Sequence, residues 1–309
     1  MDRLISTVSE LYNLSPLNYL EQISGGFLSE NHILADKDGR KYFLKRYRFD
    51  DSNKIQEIHS AKTFFSEKGI PAIMPLFTKS GETFFSYDQG FYALFPFVRG
   101  IQFERGELPK QAIISLGTMM GKVHLAGKQS TLKVSDELKQ REKDRFFEKL
   151  VTIQEKFRSI ALPSEIDNIV KASIDLKQSL VEKYWSEKNS FSDTRLLNDH
   201  LIHGDYYVLN VFFDAQNNVS HVFDYEKTQY APRSYELFRS LFYSFFGDHI
   251  VPKNIEDIKL YFDSYRDVYP ISDEELRQGF QSYYIDEIHN LWAQHEHIVK
   301  QNKRVSPLV

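Results

Sequence analysis

Asp205 and Asn210 stand in the spacing D-x-x-x-x-N within LIHGDYYVLNVFFD (201–214), and Asp224 follows the asparagine by fourteen residues at the end of VSHVFD. Each sits where an apolar, strand-like run meets polar residues, and loops held by a rigid scaffold are where chains present chemistry. Asp and Asn are also ordinary turn formers, so none of the three identifies a site alone. Together they supply a carboxylate able to meet a substrate proton and two hard oxygen donors. That set suits transfer of a phosphoryl group to a hydroxyl. In such transfers one Asp takes the hydroxyl proton while an Asn and a second Asp hold Mg²⁺, a cation that prefers oxygen ligands and shares its shell with phosphates.

The same chemistry requires, upstream, a loop over the phosphates, a strand lysine and a helix carboxylate. ISGGFLSENHIL (23–34) offers Gly25, Gly26 and Ser29 between two strand-like segments, where backbone N–H groups can approach phosphate oxygens. KYFLKRYR (41–48) places Lys45 on the third strand. Strand alternation puts Phe43 on the same face, which sets Phe43 toward an adenine and Lys45 toward the phosphates. Glu57, on the following helix, is the candidate partner of Lys45. Six elements in one required order carry more weight than any one of them.

The elements that must position these residues can be read from turns and periodicity. Asp38-Gly39 between two apolar segments marks a hairpin, and Ser80-Gly81 in TKSGETFFSY repeats the signal. Asp51, Ser52 and Asn53 offer N-caps to a helix carrying Ile58, Ala61 and Phe65, which Gly69 and Pro71 stop. The expected order is three strands, a helix and two strands. From Pro109 the pattern turns helical: KQAIISLGTMMGKVHLAG reads as one helix, and 135–187 as two or three with a break near Pro163. Strands interrupt at 200–224, and helices resume from about 234 to 300. Composition shifts once, near Phe97–Gly100.

With these motifs in place, the chain resembles the aminoglycoside phosphotransferase/choline kinase family of small-molecule kinases over most of its length. FPFVRG (95–100) is similar to that family's hinge, LGTMMGKVH (116–124) to its Leu-Gly…His helix, and IHGDYYVLNVFFD…VFDYE to its catalytic block. The resemblance implies an α+β, bilobal, protein-kinase-like fold: an N-lobe (1–98) with an antiparallel sheet and one main helix binding the nucleotide, and a mostly helical C-lobe (99–309) with the catalytic loop and acceptor pocket. It implies Asp205 as catalytic base, Asn210 and Asp224 as Mg²⁺ ligands, Lys45 on the α- and β-phosphates oriented by Glu57, and hinge backbone around Phe95–Val98, including Phe95 and Phe97, on the adenine. ATP is the expected nucleotide, with GTP not excluded, and the partner is a small hydroxyl-bearing acceptor. The chain departs from the family's usual pattern at Tyr206-Tyr207-Val208-Leu209, which is bulkier than the residues often found there.

A protein kinase is a poor fit. Gly204 precedes Asp205 where that pattern has Arg, and the few residues between Asp224 and the next helical pattern leave no room for an activation loop. A sugar or amino-alcohol is favoured as acceptor, with an aminoglycoside possible; Asp286 and Trp292 on the segment 274–300 are the substrate-contact candidates. Two other readings stand beside the kinase: a catalytically silent nucleotide-binding module, and a metal-dependent hydrolase built on His203, Asp205, His221 and Asp224. The latter lacks a compact paired-histidine motif.

Composition narrows the classes further. The chain has 309 residues, 41% hydrophobic and 27% charged, with a net charge of −4 and no cysteine. No Lys/Arg cluster marks a nucleic-acid partner, and disulfides and cysteine-ligated zinc are excluded. MDRLISTVSELYNLSPL does not read as a signal peptide, and FYALFPFV (91–98), the longest apolar run, falls far short of the roughly 20 residues that span a bilayer. Cytoplasm, with no membrane partner, is the expectation; the oligomeric state is not legible.

Overall fold

A computed structural model describes residues 1–23, 30–138, 141–187, 197–246, 254–303 and 305. They fall into two compact units, Met1–Leu138 with Leu197–Glu275, and Lys139–Leu196 with Leu276–Val309.

The first unit opens with α1 (Asp2–Leu11), a helix that the sequence reading did not anticipate. Its signal is short: Leu4, Ile5 and Val8 share one face and are the buried residues. That face joins Leu34, Tyr42, Leu44, Phe85, Tyr92 and Leu94 in one core cluster, so α1 covers one side of the sheet. The sheet is antiparallel with order β1 (Asn18–Ile23), β2 (Glu30–Ala35), β3 (Lys41–Arg46), β5 (Gly90–Pro96), β4 (Phe85–Tyr87). Alternation is kept on β3: Tyr42 and Leu44 face the α1 cluster, leaving Phe43 and Lys45 on the opposite side. Gly39 at φ 80° makes the β2–β3 hairpin turn as Asp38-Gly39 predicts.

The second expected hairpin is displaced. Ser80-Gly81 forms a turn closed by Gly81 N–H to Thr78 O at 2.9 Å, yet the chain around it is not in strands. The β4–β5 hairpin instead turns at Asp88 and Gln89, both at positive φ (44° and 58°), as a two-residue primed turn demands. Between β3 and β4 runs α2 (Ser52–Glu67), whose Asp51 cap accepts from Asn53 N at 2.9 Å.

Residues 200–231 form a set of short pairs: β6 (His200–Ile202) with β9 (Gln229–Ala231), and β7 (Val211–Phe213) with β8 (Val219–Val222). Mutual bonds between Ile101 and Phe213 (2.9 and 2.8 Å) and a bridge from Ala72 to Val222 tie these strands to the segments flanking the N-terminal sheet. Helices α3 (Lys110–Gly127), α6 (Arg233–Phe245) and α7 (Ile255–Arg266) pack behind them. Gly117 and Gly121 on α3 are where α7 comes close: a Cβ on Gly117 would lie 2.5 Å from Tyr261 O.

The second unit is helical. α4 (Lys143–Arg158) and α5 (Glu165–Ser186) flank the predicted break at Pro163, and Ser164 with Asp167 closes a full capping box at the start of α5. These two helices share a core with residues from α8 (Asp273–Ile288) and α9 (Trp292–Ile298), including Phe146, Leu150, Ile174, Ile288 and Ile298. No helix among the described residues is long and apolar enough to cross a membrane.

Candidate active site

The loop after β6 is held by its backbone. His203 N–H donates to Glu236 Oε2 at 3.1 Å, and Gly204 N–H donates to Glu236 Oε1. Glu236 is fully buried on α6, and its Oε2 also meets His124 Nε2 at 3.0 Å. His124, equally buried on α3, is oriented by Tyr265 Oη at 3.0 Å from Nδ1. This accounts physically for the histidine of the LGTMMGKVH helix: it fixes the carboxylate that fixes the loop. Gly204 has φ 83°, and a Cβ there would collide with the Lys227 carbonyl oxygen, so no other residue fits without strain.

The His203 ring is structural, with no exposure. Nε2–H donates to Phe223 O (2.9 Å) and Nδ1 accepts from Asp205 N–H (3.2 Å). Beyond it the loop alternates: Tyr206 and Val208 turn inward, while Asp205, Tyr207 and Leu209 lie on the more open side. Tyr206 Oη donates to Leu116 O at 3.1 Å. Half of the bulky Tyr206–Leu209 stretch is therefore core, and only part of it borders the approach to Asp205.

The Asp205 carboxylate receives Arg239 Nη2 at 2.5 Å and Lys227 Nζ at 3.0 Å. Burial pushes its pKa up, but Arg239 and Lys227 outweigh burial and hold it well below the usual carboxylate range. Asn210 donates Nδ2 to Asp205 O at 2.8 Å, which leaves Oδ1 as the amide atom that a hard cation can take. Phe223 N–H donates to Asn210 O at 3.0 Å, so the β7–β8 pairing carries Asp224 alongside Asn210. Asp224 itself adopts a left-handed conformation (φ 63°, ψ 63°), uncommon for a residue other than glycine and frequent where function dictates backbone shape.

Lys45 meets Asp224 Oδ1 at 3.0 Å and Glu226 Oε1 at 2.6 Å. Burial on its own would lower the lysine pKa; Asp224 and Glu226 outweigh it and hold the ammonium well above its ordinary value. Glu57 is not in this group. It accepts from Ser135 Oγ at 2.7 Å and lies 3.5 Å from Lys54 Nζ. The reason is helical phase: α2 faces Tyr225 with Lys62 and Phe65, and Glu57, five residues before Lys62, is turned roughly 140° away. The carboxylate that joins Asp224 on Lys45 comes from Glu226, which also takes Arg48 Nε at 3.2 Å.

Lys62 is the buried cation of α2, donating to Ile73 O at 3.0 Å with its Nζ 4.6 Å from the Phe95 ring centroid. Burial first, then Lys45, lowers its pKa to about 7. Phe43 and Phe95 are cross-strand neighbours with ring centroids 6.3 Å apart. Phe97 is half-buried, its N–H donating to Lys41 O at 3.3 Å and its ring 5.5 Å from Lys41 Nζ. Gly25, Gly26 and Ser29 lie outside the described residues. Asp286 and Trp292 belong to the second unit, where Asp286 is bound by Arg141 Nε at 2.7 Å.

Sequence reasoning missed Glu226, Glu236, Arg239 and Lys227. A signal existed for Glu236, an acid inside the apolar run SYELF, whose neighbours Tyr235 and Leu237 are buried. None existed for Glu226, whose pairing depends on a fold contact.

The residues fit a magnesium ion. Asn210 Oδ1 and the Asp224 carboxylate, 38% exposed, are both hard oxygen donors. Two such donors would leave the ion's remaining positions to phosphates and water.

The profile of the phosphotransferase enzyme family matches residues 20–271. No curated protein sequence matches with significance. Several solved structures share the fold. Spectinomycin phosphotransferase APH(9)-Ia in an AMP-bound complex superposes with a TM-score of 0.68 at 15% identity, covering 99% of this chain and 92% of that one. Amicoumacin kinase hAmiN in complex with AMP-PNP and Ca²⁺ gives 0.62 at 16%, covering 99% and 93%. A Plasmodium vivax ethanolamine kinase gives 0.56 at 14%, covering 94% and 80%. With the profile spanning most of its length, the chain belongs to the phosphotransferase enzyme family, and it is a small-molecule kinase with a protein-kinase-like fold.

Proposed function

We propose that the protein transfers the γ-phosphoryl group of ATP to a hydroxyl of a small molecule, with Asp205 as the base and Asn210 and Asp224 holding Mg²⁺. The observation that carries this reading is the convergence of Asp205, Asn210 and Asp224 on one hydrogen-bonded segment, with Lys45 bound to Asp224. The acceptor hydroxyl docks against Asp205, whose position is fixed by Arg239 and Lys227. As the acceptor oxygen bonds to the γ-phosphorus and the bond to the β,γ-bridging oxygen breaks, the hydroxyl proton passes to Asp205. Lys45 places positive charge on the phosphates. The ion, when bound, would neutralise charge on the β- and γ-phosphate oxygens. GTP is an alternative donor to be tested beside ATP.

The hydrolase reading loses its support. His203 uses both ring nitrogens on the backbone, and His221 Nδ1 lies against Ser220 Oγ at 3.2 Å. The test is acceptor-stimulated ADP release across sugars, sugar acids, amino-alcohols and aminoglycosides, with wild type, Asp205→Asn and Asp224→Ala. Asp205→Asn should lower kcat by about 10²–10⁴ with little change in the KM for ATP, and Asp224→Ala should abolish turnover. Near wild-type turnover by Asp224→Ala would show the assignment to be wrong.

A further inference from the structure

Three basic side chains gather near Asp205 within the first unit. Lys227 and Arg239 touch its carboxylate. Beyond them stands Arg105, in the segment preceding α3. Its guanidinium lies 5.6 Å from the Tyr207 ring centroid and 5.2 Å from that of Tyr243. Those two rings are 5.6 Å apart, and Arg239 lies over Tyr243 at 4.5 Å. Tyr207 is on the open side of the loop, two residues from Asp205. Asp205, Arg239, Tyr243, Arg105 and Tyr207 are thus one continuous wall within the first unit.

Arg105 is the informative member. Arg239 and Lys227 are already engaged by Asp205, whereas Arg105 makes no ion pair with a described carboxylate and is tied instead to the Tyr207 side chain by a hydrogen bond. Arg105 lies within cation–π range of both rings and spends part of its N–H edge on Tyr207. A guanidinium carries five N–H donors, so the remaining ones stay suited to a carboxylate or phosphate. An acceptor bearing an ammonium group would meet the Arg105 charge on this wall, a repulsive element against cations.

We propose that the acceptor is a hydroxylated small molecule carrying an anionic group, a carboxylate or a phosphate ester, which Arg105 on its Tyr207–Tyr243 seat recognises. This rests on the phosphoryl-transfer reading of the site and departs from an amino-alcohol or aminoglycoside acceptor.

The experiment compares matched acceptors: glycerol, D-glycerate and glycerol 3-phosphate; D-glucose, D-gluconate and glucose 6-phosphate; and ethanolamine as the cationic arm. ADP release is measured with Mg-ATP, and heat stabilisation with Mg-AMP-PNP present, for wild type, Arg105→Ala and Arg105→Lys. At least one anionic probe should outperform its neutral parent by about tenfold or more in kcat/KM or in stabilisation, and the glycerate and phosphate arms tell which anion is preferred. Arg105→Ala should erase most of that preference through the KM for the acceptor, and Arg105→Lys should restore part of it. Preference for neutral or cationic probes, no response to any anionic probe, or an Arg105→Ala defect confined to the KM for ATP, would each overturn the proposal. Absence of Mg-AMP-PNP binding by the folded wild type would instead remove the phosphoryl-transfer reading beneath it.

Discussion

Replacing Glu236 by Gln keeps the shape of the side chain and changes only which atoms can accept. In the wild type one carboxylate serves two backbone N–H groups on different oxygens, at His203 and Gly204, and meets His124 Nε2. A glutamine has one acceptor oxygen, so whichever way the amide turns, its NH₂ faces a buried backbone donor. An unsatisfied buried donor costs about 1–3 kcal/mol, and hydrogen bonds to a charged group are worth about 1.5–3 kcal/mol. A loss of roughly 3 kcal/mol is expected. For a unit of roughly 200 residues, in which each kcal/mol moves the midpoint by about 2–4 °C, that is a Tm lowered by about 6–12 °C.

The same bonds set where Asp205 stands, so kcat should fall with stability. A displacement near 1 Å at a reacting group can cost about 10²-fold, and kcat should drop by that order while the KM for ATP moves less. Calorimetry and steady-state kinetics on Glu236→Gln are the assays. A Tm within 2 °C of wild type by calorimetry, on a scale where about 1 kcal/mol is resolvable, would refute the role given to Glu236, as would an unchanged kcat in a folded variant.

Glu226→Gln should impair use of ATP more than Glu57→Gln does, because Glu226 and not Glu57 meets Lys45; equal kinetic effects would reverse that assignment. Gly204→Ala should destabilise the chain by about 2–4 kcal/mol, given a positive φ and a blocked Cβ position, and denaturant unfolding measures it. Lys62 has a folded pKa near 7, below the ordinary lysine value of 10.5, so the unfolded chain binds the extra proton between those values. Stability should therefore rise with pH from about 7 to about 10.5 and lose that slope in Lys62→Met, as denaturation midpoints across this range would report.

The readable parts of the chain were those determined by local geometry. The Asp38-Gly39 turn, the Asp51 cap of α2 and the interruption before α5 each depend on residues within a few positions of one another, and each stands where periodicity placed it. The segment proposed to be catalytic stood out for a different reason: its residue types match a chemistry that leaves few substitutes. What escaped were choices among equals. A helix glutamate at 57 is chemically as good a partner for Lys45 as Glu226, but the phase of α2 decides between them, and phase against a distant segment is a tertiary fact. Lys45 and Asp224 are 179 residues apart in sequence. Ser80-Gly81 carries the stronger hairpin signal, yet Asp88-Gln89 accepts positive φ because β4 and β5 pair around it.

As the proposed base, Asp205 raises a last question, since two cations on a carboxylate make it a weak base. Arg239 and Lys227 hold its pKa well below the ordinary carboxylate range despite burial. A base so depressed would be a poor choice if the hydroxyl had to be ionised before attack. In a loose phosphoryl-transfer transition state the nucleophile keeps its proton until late, and position matters more than basicity. In the proposed reaction the clamp would fix the carboxylate's geometry where strength is not required. The consequence lies in the acid limb of the rate profile. Because the folded pKa is depressed, Asp205 remains ionised down through the ordinary carboxylate value of about 3.9, and the stability its pairing contributes is lost only as pH falls below that. Between about pH 5 and pH 8 kcat should show no inflection from this residue. Arg239→Gln should bring an acid limb upward into the measurable range, because one of the two cations that depress the pKa is gone. A wild-type profile with an acid limb near pH 6 that Asp205→Glu displaces would contradict a clamped, permanently ionised base.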